Sequence, residues 1–253
     1  MTHERPPGRS IIGRNPVLEA LKAGTAISRI VLMNTAEGSV IQEIKSFARR
    51  QGIQVQEMPK QEFVGFARDE KAQGVVALAA EQQTLDLSTL ISHSKTRQES
   101  GFIILPDQIE DPGNLGALIR TAECAGAHGL VLTKHHSASL SSGAIKASAG
   151  ATEHLRIAVV SNLVNAILEL KENGFWIVGL EMAGERMYTE VDYSGSTAIV
   201  VGSERRGIRR LVREHCDFLV RIPILGKISS LNASVAGALL MYEVRRQRTP
   251  AHG

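Results

Sequence analysis

From Phe102 onward, short apolar runs alternate with segments whose apolar residues recur at helical spacing, and this alternation constrains the chain most. Residues 102–105, 130–132, 154–159, 175–180, 198–201 and 218–222 read as strands. Between them, residues 114–125 put Leu115, Leu118, Ile119 and Ala122 on one helical face. Residues 141–150 are small and helical, and residues 162–172 form a helix closed by Gly174. Strands alternating with helices predict an α/β fold with a mostly parallel sheet.

The N-terminal stretch repeats the pattern on a smaller scale. Asn15-Pro16 signals a helix start, and the stripe Val17, Leu18, Leu21 stops at Gly24. Residues 29–33, 53–55 and 74–79 read as strands, and residues 39–50 and 60–67 as helices. The expected organisation is a flexible tail at 1–9, a small α/β domain at 10–80, a polar linker at 81–98 and a larger domain at 99–248. The linker is expected to hold one helical turn at 87–91. A chain of 253 residues has room for two such cores.

Composition narrows the class. The chain is 43% hydrophobic and 22% charged, as soluble domains are. No apolar run approaches a membrane span. The first ten residues carry no signal-peptide core, so a cytoplasmic protein is expected. The two cysteines, Cys124 and Cys216, have neither metal spacing nor a disulfide framework, and no metal is expected.

Three stretches carry residue types suited to chemistry. In residues 107–122 a strand ends, Asp111-Pro112-Gly113 turns, Asn114 opens a helix and Arg120 follows on its polar side. Loops at the C-terminal ends of parallel strands are where α/β proteins hold ligands. The same residues also suit a plain capping asparagine and a surface arginine. In residues 199–207 a strand runs into Gly202, Glu204 and Gly207, which is neither a dinucleotide fingerprint nor a P-loop. Arg205, Arg206, Arg209, Arg210 and Arg213 follow, either as a phosphate-binding surface or as a solvated face paired with Glu214 and Asp217. In residues 221–238, Ser230 and Asn232 sit where a helix begins, and Ala233, Ser234, Ala236, Gly237 and Ala238 keep its first turns small.

In this order and spacing the stretches resemble the SpoU-type (TrmH-like) RNA 2'-O-ribose methyltransferases of the SPOUT superfamily. The first family motif matches Asn114, Gly116, Arg120 and Ala122. The second matches Gly202, Glu204 and Gly207. The third matches Ile222, Pro223, Ser230, Leu231, Asn232 and Ser234. The N-terminal unit is similar to the L30e-like substrate-binding domain of the bacterial 23S rRNA guanosine-2'-O methyltransferases. The resemblance implies a C-terminal SPOUT domain with a deep trefoil knot, for which Gly226, Ser229, Ser230, Ala233, Ala236 and Gly237 supply small side chains.

It also implies S-adenosylmethionine as cofactor, held by Gly202, Ile222 and Leu231 with Leu180 nearby. Asn114, Arg120, Glu204, Ser230 and Asn232 are the implied catalytic residues. An arginine does not deprotonate in proteins, so Arg120 suits phosphate binding and alkoxide stabilisation better than the role of base. Implied partners are rRNA of the 23S type and a second copy, through Val235, Leu239, Leu240 and Tyr242. The alternatives are a tRNA or antibiotic-resistance methyltransferase of the same fold, or a non-catalytic RNA-binding assembly factor.

Overall fold

The computed structural model describes residues 8–67, 72–96, 99–134 and 140–249. Its chain divides into two units, residues 1–83 with 148–154, and residues 84–147 with 155–253.

The first unit contains β1 (Arg9–Ile12), α1 (Arg14–Lys22), β2 (Ile27–Met33), α2 (Ser39–Gln51), β3 (Gln54–Met58), α3 (Lys60–Ala67) and β4 (Val75–Ala79). The sheet order is β1-β4-β2-β3, with β4 antiparallel to both neighbours and β2 parallel to β3. Side chains alternate along β2. Ile30 and Leu32 pack with Val17 and Leu21 of α1 and Ile41 and Ile44 of α2. Val31 packs on the other side with Phe63 and Ala67 of α3. A sheet covered on both faces needs apolar residues at successive positions, which is why β4 is buried throughout.

A short piece of distant sequence completes this unit. Residues 148–154 include a 3-10 turn, Ala151–Glu153, and the Glu153 side chain is 2% exposed. Its carboxylate accepts from Arg9 at 2.6 and 2.9 Å and from the Thr25 hydroxyl at 2.8 Å. Arg9 therefore belongs to a strand and a buried ion pair rather than to a tail; the rest of the expected tail, residues 1–7, lies outside the described residues.

The second unit contains α4 (Leu87–Thr96), β5 (Phe102–Asp107), α5 (Pro112–Cys124), β6 (Gly129–Thr133), α6 (Ser142–Ala147), β7 (Ile157–Val160), α7 (Leu163–Glu172), β8 (Trp176–Leu180), β9 (Arg186–Met187), β10 (Thr197–Gly202), α8 (Arg210–Glu214), β11 (Phe218–Arg221) and α9 (Ala233–Arg248). The sheet order is β7-β6-β5-β10-β8-β11-β9 and every pairing is parallel. One face carries Ile103, Leu105, Ile177, Ala198 and Val200 against Leu87, Leu90 and Ile91 of α4 and Ile167 and Leu170 of α7. On the other, α9 runs against α5 and β10, so close that a Cβ on Gly237 would meet Leu118 at 2.7 Å.

Several expectations need correction. The segment 81–98 is not a linker throughout: α4 buries its apolar side in the core, and Leu85 forms a parallel bridge to Ala158. Helix α5 is capped by Asp111, which accepts from Asn114 N at 2.7 Å, with Pro112 at the first helical position, so Asn114 lies inside the helix. Leu240 is fully buried and serves the core, not an outer surface. Gly226 would tolerate a Cβ with nothing within 4 Å, so it supplies no close approach. No described helix is long and apolar enough to cross a membrane.

Candidate functional site

Strands β6 and β7 follow β5 outward in one direction, and β8 starts again beyond β10, so the strand order reverses at the β5–β10 pair. Such a reversal leaves a crevice at the strands' C-terminal ends. Gly202 lies opposite Asp107, so both strands end level. Asp107 is 1% exposed and accepts from Arg209 N at 2.8 Å and from the Arg209 guanidinium at 2.7 Å. That pair anchors one end of the turn after β10.

The turn itself is tight. Ser203 and Gly207 exchange backbone hydrogen bonds of 3.2 and 2.8 Å, and Gly207 has φ +63°, where a side chain is strained. A Cβ on Gly202 would collide with the Gly207 backbone. Both glycines of the second motif are thus required by backbone geometry, and Glu204 projects from a fixed turn.

Glu204 is where three motifs meet. Its Oε1 accepts from Asn232 Nδ2 at 2.7 Å, Asn114 Nδ2 at 3.2 Å and Ala233 N at 3.2 Å. Asn232 Nδ2 also donates to Asn114 Oδ1 at 2.8 Å. The Asn232 oxygen faces the other way and caps α9, accepting from Ser234 N at 2.9 Å, Val235 N at 3.3 Å and the Ser234 hydroxyl at 2.6 Å. Among the described residues none donates to Glu204 Oε2.

Two adjoining clefts share this wall. A cleft of about 280 Å³, near the lower end for ligand sites of roughly 300 Å³, is bounded by Leu180, Gly202, Ile222, Ser230 and Leu231. A second of about 330 Å³ is bounded by Gln108, Asp111 and Asn114. Ser203, Glu204, Arg205, Arg206 and Ala233 line both. The first is mainly apolar with backbone at one side; the second is polar.

Of the residues singled out from sequence, Asn114, Glu204 and Asn232 form one hydrogen-bonded cluster, and Gly202, Ile222, Ser230 and Leu231 line one cleft. Arg120 joins neither. It is exposed, it lies about 120° around α5 from Asn114, and it forms no hydrogen bond or ion pair among the described residues. Gly116 has a packing role, because a Cβ there would strike Ala147 and the Ala144 carbonyl on α6. The sequence reading missed Asp107, whose signal is a charge ending the apolar run FIILPD, and Asp111, whose signal is Asp before Pro at a helix start. It also missed Glu181, which borders the first cleft and lies 2.6 Å from where a Gly207 Cβ would sit. The arginine run divides: Arg209 pairs with Asp107 and Arg210 with Glu214, while Asp217 pairs with Lys171 instead. No cluster of three potential metal ligands occurs among the described residues.

Comparison with known proteins gives matches over nearly the whole chain. The sequence model of the SpoU rRNA methylase family matches residues 101–242, and that of the RNA 2'-O ribose methyltransferase substrate-binding family matches residues 10–85. YacO of Bacillus subtilis, assigned to the TrmH family of tRNA/rRNA methyltransferases, is 40% identical over 241 residues, 95% of this chain and 96% of its own. The SpoU methyltransferase AviRb of Streptomyces viridochromogenes, crystallised with AdoMet, superposes with a TM-score of 0.78 at 25% identity, over 94% of this chain and 90% of its own. An AdoMet-bound rRNA methyltransferase of Sinorhizobium meliloti gives 0.77 at 27% identity, over 94% and 86%.

Proposed function

The chain belongs to the SpoU rRNA methylase family, and from that premise we propose that it methylates a ribose 2'-oxygen of ribosomal RNA at the wall shared by the two clefts. It is an RNA methyltransferase with S-adenosylmethionine as cofactor. The observation that carries the reading is the meeting of Asn114, Glu204 and Asn232, one from each motif, where an apolar cleft adjoins a polar one.

The residues present suit the cofactor. Leu180, Ile222 and Leu231 offer apolar walls for a purine ring, and Gly202 lets the Gly207 backbone close in at the cleft's edge. Bound there, S-adenosylmethionine supplies an electrophilic methyl group on a sulfonium sulfur. The polar cleft takes the ribose. Glu204 is held by three donors through Oε1, so it is oriented before RNA arrives, and Oε2 can accept from a ribose hydroxyl. Such preorganisation supplies much of the rate gain in a displacement that needs its reacting atoms in line. Ser230, half-buried at the apolar cleft, orients the same region. Arg120, exposed and outside both clefts, serves as a contact for an RNA phosphate.

The remaining parts of the reading rest on separate features. The first unit selects the RNA, supported by its match to a substrate-binding family, and its two-sided four-stranded sheet suits an L30e-like fold. A trefoil knot is supported by the passage of residues 222–232 past the 203–207 turn, where Ala233 N meets Glu204. A homodimer is supported by Val235, Leu239 and Tyr242, exposed at i, i+4 and i+7 on α9. Ribosomal RNA as the substrate class is supported by a neighbour spanning 94% of this chain that is an rRNA methyltransferase, and a guanosine of 23S rRNA is the finer target that the resemblance implies.

Mapping ribose methylation in RNA from cells with and without the protein tests the reading. One rRNA ribose should lose its methyl group without the protein. Loss confined to a tRNA ribose moves the substrate to tRNA, and no change in either class overturns the proposal.

A further inference from the structure

Five arginines fall between positions 205 and 213, and the structure gives them different tasks. Arg209 is spent on buried Asp107, and Arg210 on Glu214. Arg205 and Arg206 are exposed, form no side-chain hydrogen bond or ion pair among the described residues, and line both clefts. Their position is not loose. The Ser203–Gly207 hydrogen bonds close the turn beneath them, and Arg206 N donates to the Ser203 hydroxyl at 3.3 Å. Glu204, the residue before them, is tied to Asn114, Asn232 and Ala233. Two cations without a partner among the described residues therefore stand on a rigid turn, beside the carboxylate that faces the polar cleft.

We propose that Arg205 and Arg206 hold the backbone phosphates flanking the target ribose, and so set which sugar of a single-stranded segment reaches Glu204. The proposal rests on the polar cleft being the ribose site. A ribose in an RNA strand has a phosphate on each side, so any groove that takes the sugar must also receive two negative charges. Guanidinium groups match phosphate oxygens with paired N–H donors. Arg209 cannot serve, because withdrawing it would leave the Asp107 carboxylate buried without its partner. The competing occupant is the cofactor's carboxylate, since both arginines also border the apolar cleft.

The test uses the full chain with both positions changed, R205A/R206A and R205K/R206K, alongside the unaltered protein. RNA affinity is measured against salt without cofactor, on a single-stranded oligonucleotide carrying the mapped site, and S-adenosylmethionine affinity by calorimetry without RNA. The alanine pair should bind RNA about tenfold or more weakly and lose about 1.4 from the slope of log affinity against log salt, at 0.7 per phosphate released. The lysine pair should keep that slope, because it keeps the charges. Cofactor affinity should stay within about twofold in both. An unchanged slope in the alanine pair overturns the proposal, and so does a loss of cofactor affinity with RNA affinity intact. Because the slope is read without methyl transfer, a protein that binds RNA through these arginines yet methylates nothing would refute the ribose-methylation reading alone.

Discussion

Asn232 donates to Glu204 Oε1 at 2.7 Å through its amide nitrogen while its amide oxygen caps α9. One side chain thus joins helix stability to the candidate site, and substitution can separate the two. Asn232→Ala should lose both, lowering the melting temperature by about 2–4 °C for a lost cap of about 1 kcal/mol. Asn232→Ser should restore the cap but not the bond to Glu204. Methyl transfer should therefore fall in both variants, and only the alanine variant should melt early. Thermal melts and single-turnover transfer assays check this.

Gly202 and Gly226 make a second pair of opposites. Gly202→Ala places a Cβ against the Gly207 backbone, which cannot move aside as a flexible side chain can. Stability should fall by about 1–3 kcal/mol, as in overpacked sites, and cofactor affinity should fall with it. Gly226→Ala enters open space and should leave both unchanged. Denaturant melts and calorimetry with S-adenosylmethionine distinguish them.

Neighbouring leucines on α9 should behave differently. Leu240 is fully buried, so Leu240→Ala should cost about 2–5 kcal/mol. Leu239 and Tyr242 are 40% and 52% exposed, so L239K/Y242K should leave each chain folded yet shift sedimentation from the proposed dimer to monomer. A doubly substituted chain that still sediments as a dimer would place the interface elsewhere.

Burial pushes the Cys216 thiol up to about 12, with Asp217 adding repulsion, while Cys124 is exposed. The thiolate is the reactive form, and raising the pKa reduces it: at pH 8 a thiol of pKa near 12 is ionised in about one molecule in 10⁴. Iodoacetamide at pH 8 should label Cys124 and spare Cys216 by mass spectrometry until the protein unfolds. Equal labelling of both in folded protein would contradict the burial of Cys216.

What the sequence made legible follows from how local each signal is. Helix α3 could be read to its bounds because Phe63 and Ala67 recur on one face between breaks at Pro59 and the next polar stretch. The cap at Asn232 was legible because capping depends on neighbouring residues only. Helix α4 was mostly hidden: its apolar contribution is Leu87, Leu90 and Ile91 in a polar stretch, and burial against distant strands makes it structural. Strand β1 was hidden because its partner, β4, begins more than sixty residues later. The Arg9–Glu153 pair spans a still longer separation. For the site, the motif residues were visible but not their division of labour. Nothing local separates Arg209, held by Asp107, from Arg205 and Arg206, or tells that Arg120 lines neither cleft.

The Glu204 cluster is proposed to direct a methyl group to a ribose oxygen. The most direct measurement is transfer from methyl-labelled S-adenosylmethionine to ribosomal RNA, followed by digestion to nucleosides, using unaltered protein and Glu204→Gln. The label should appear in one 2'-O-methylated nucleoside, and Glu204→Gln should slow its appearance about a hundredfold or more, as loss of a preorganised polar group does. Label on a base would contradict ribose methylation, and transfer by Glu204→Gln at the unaltered rate would contradict the role of Glu204.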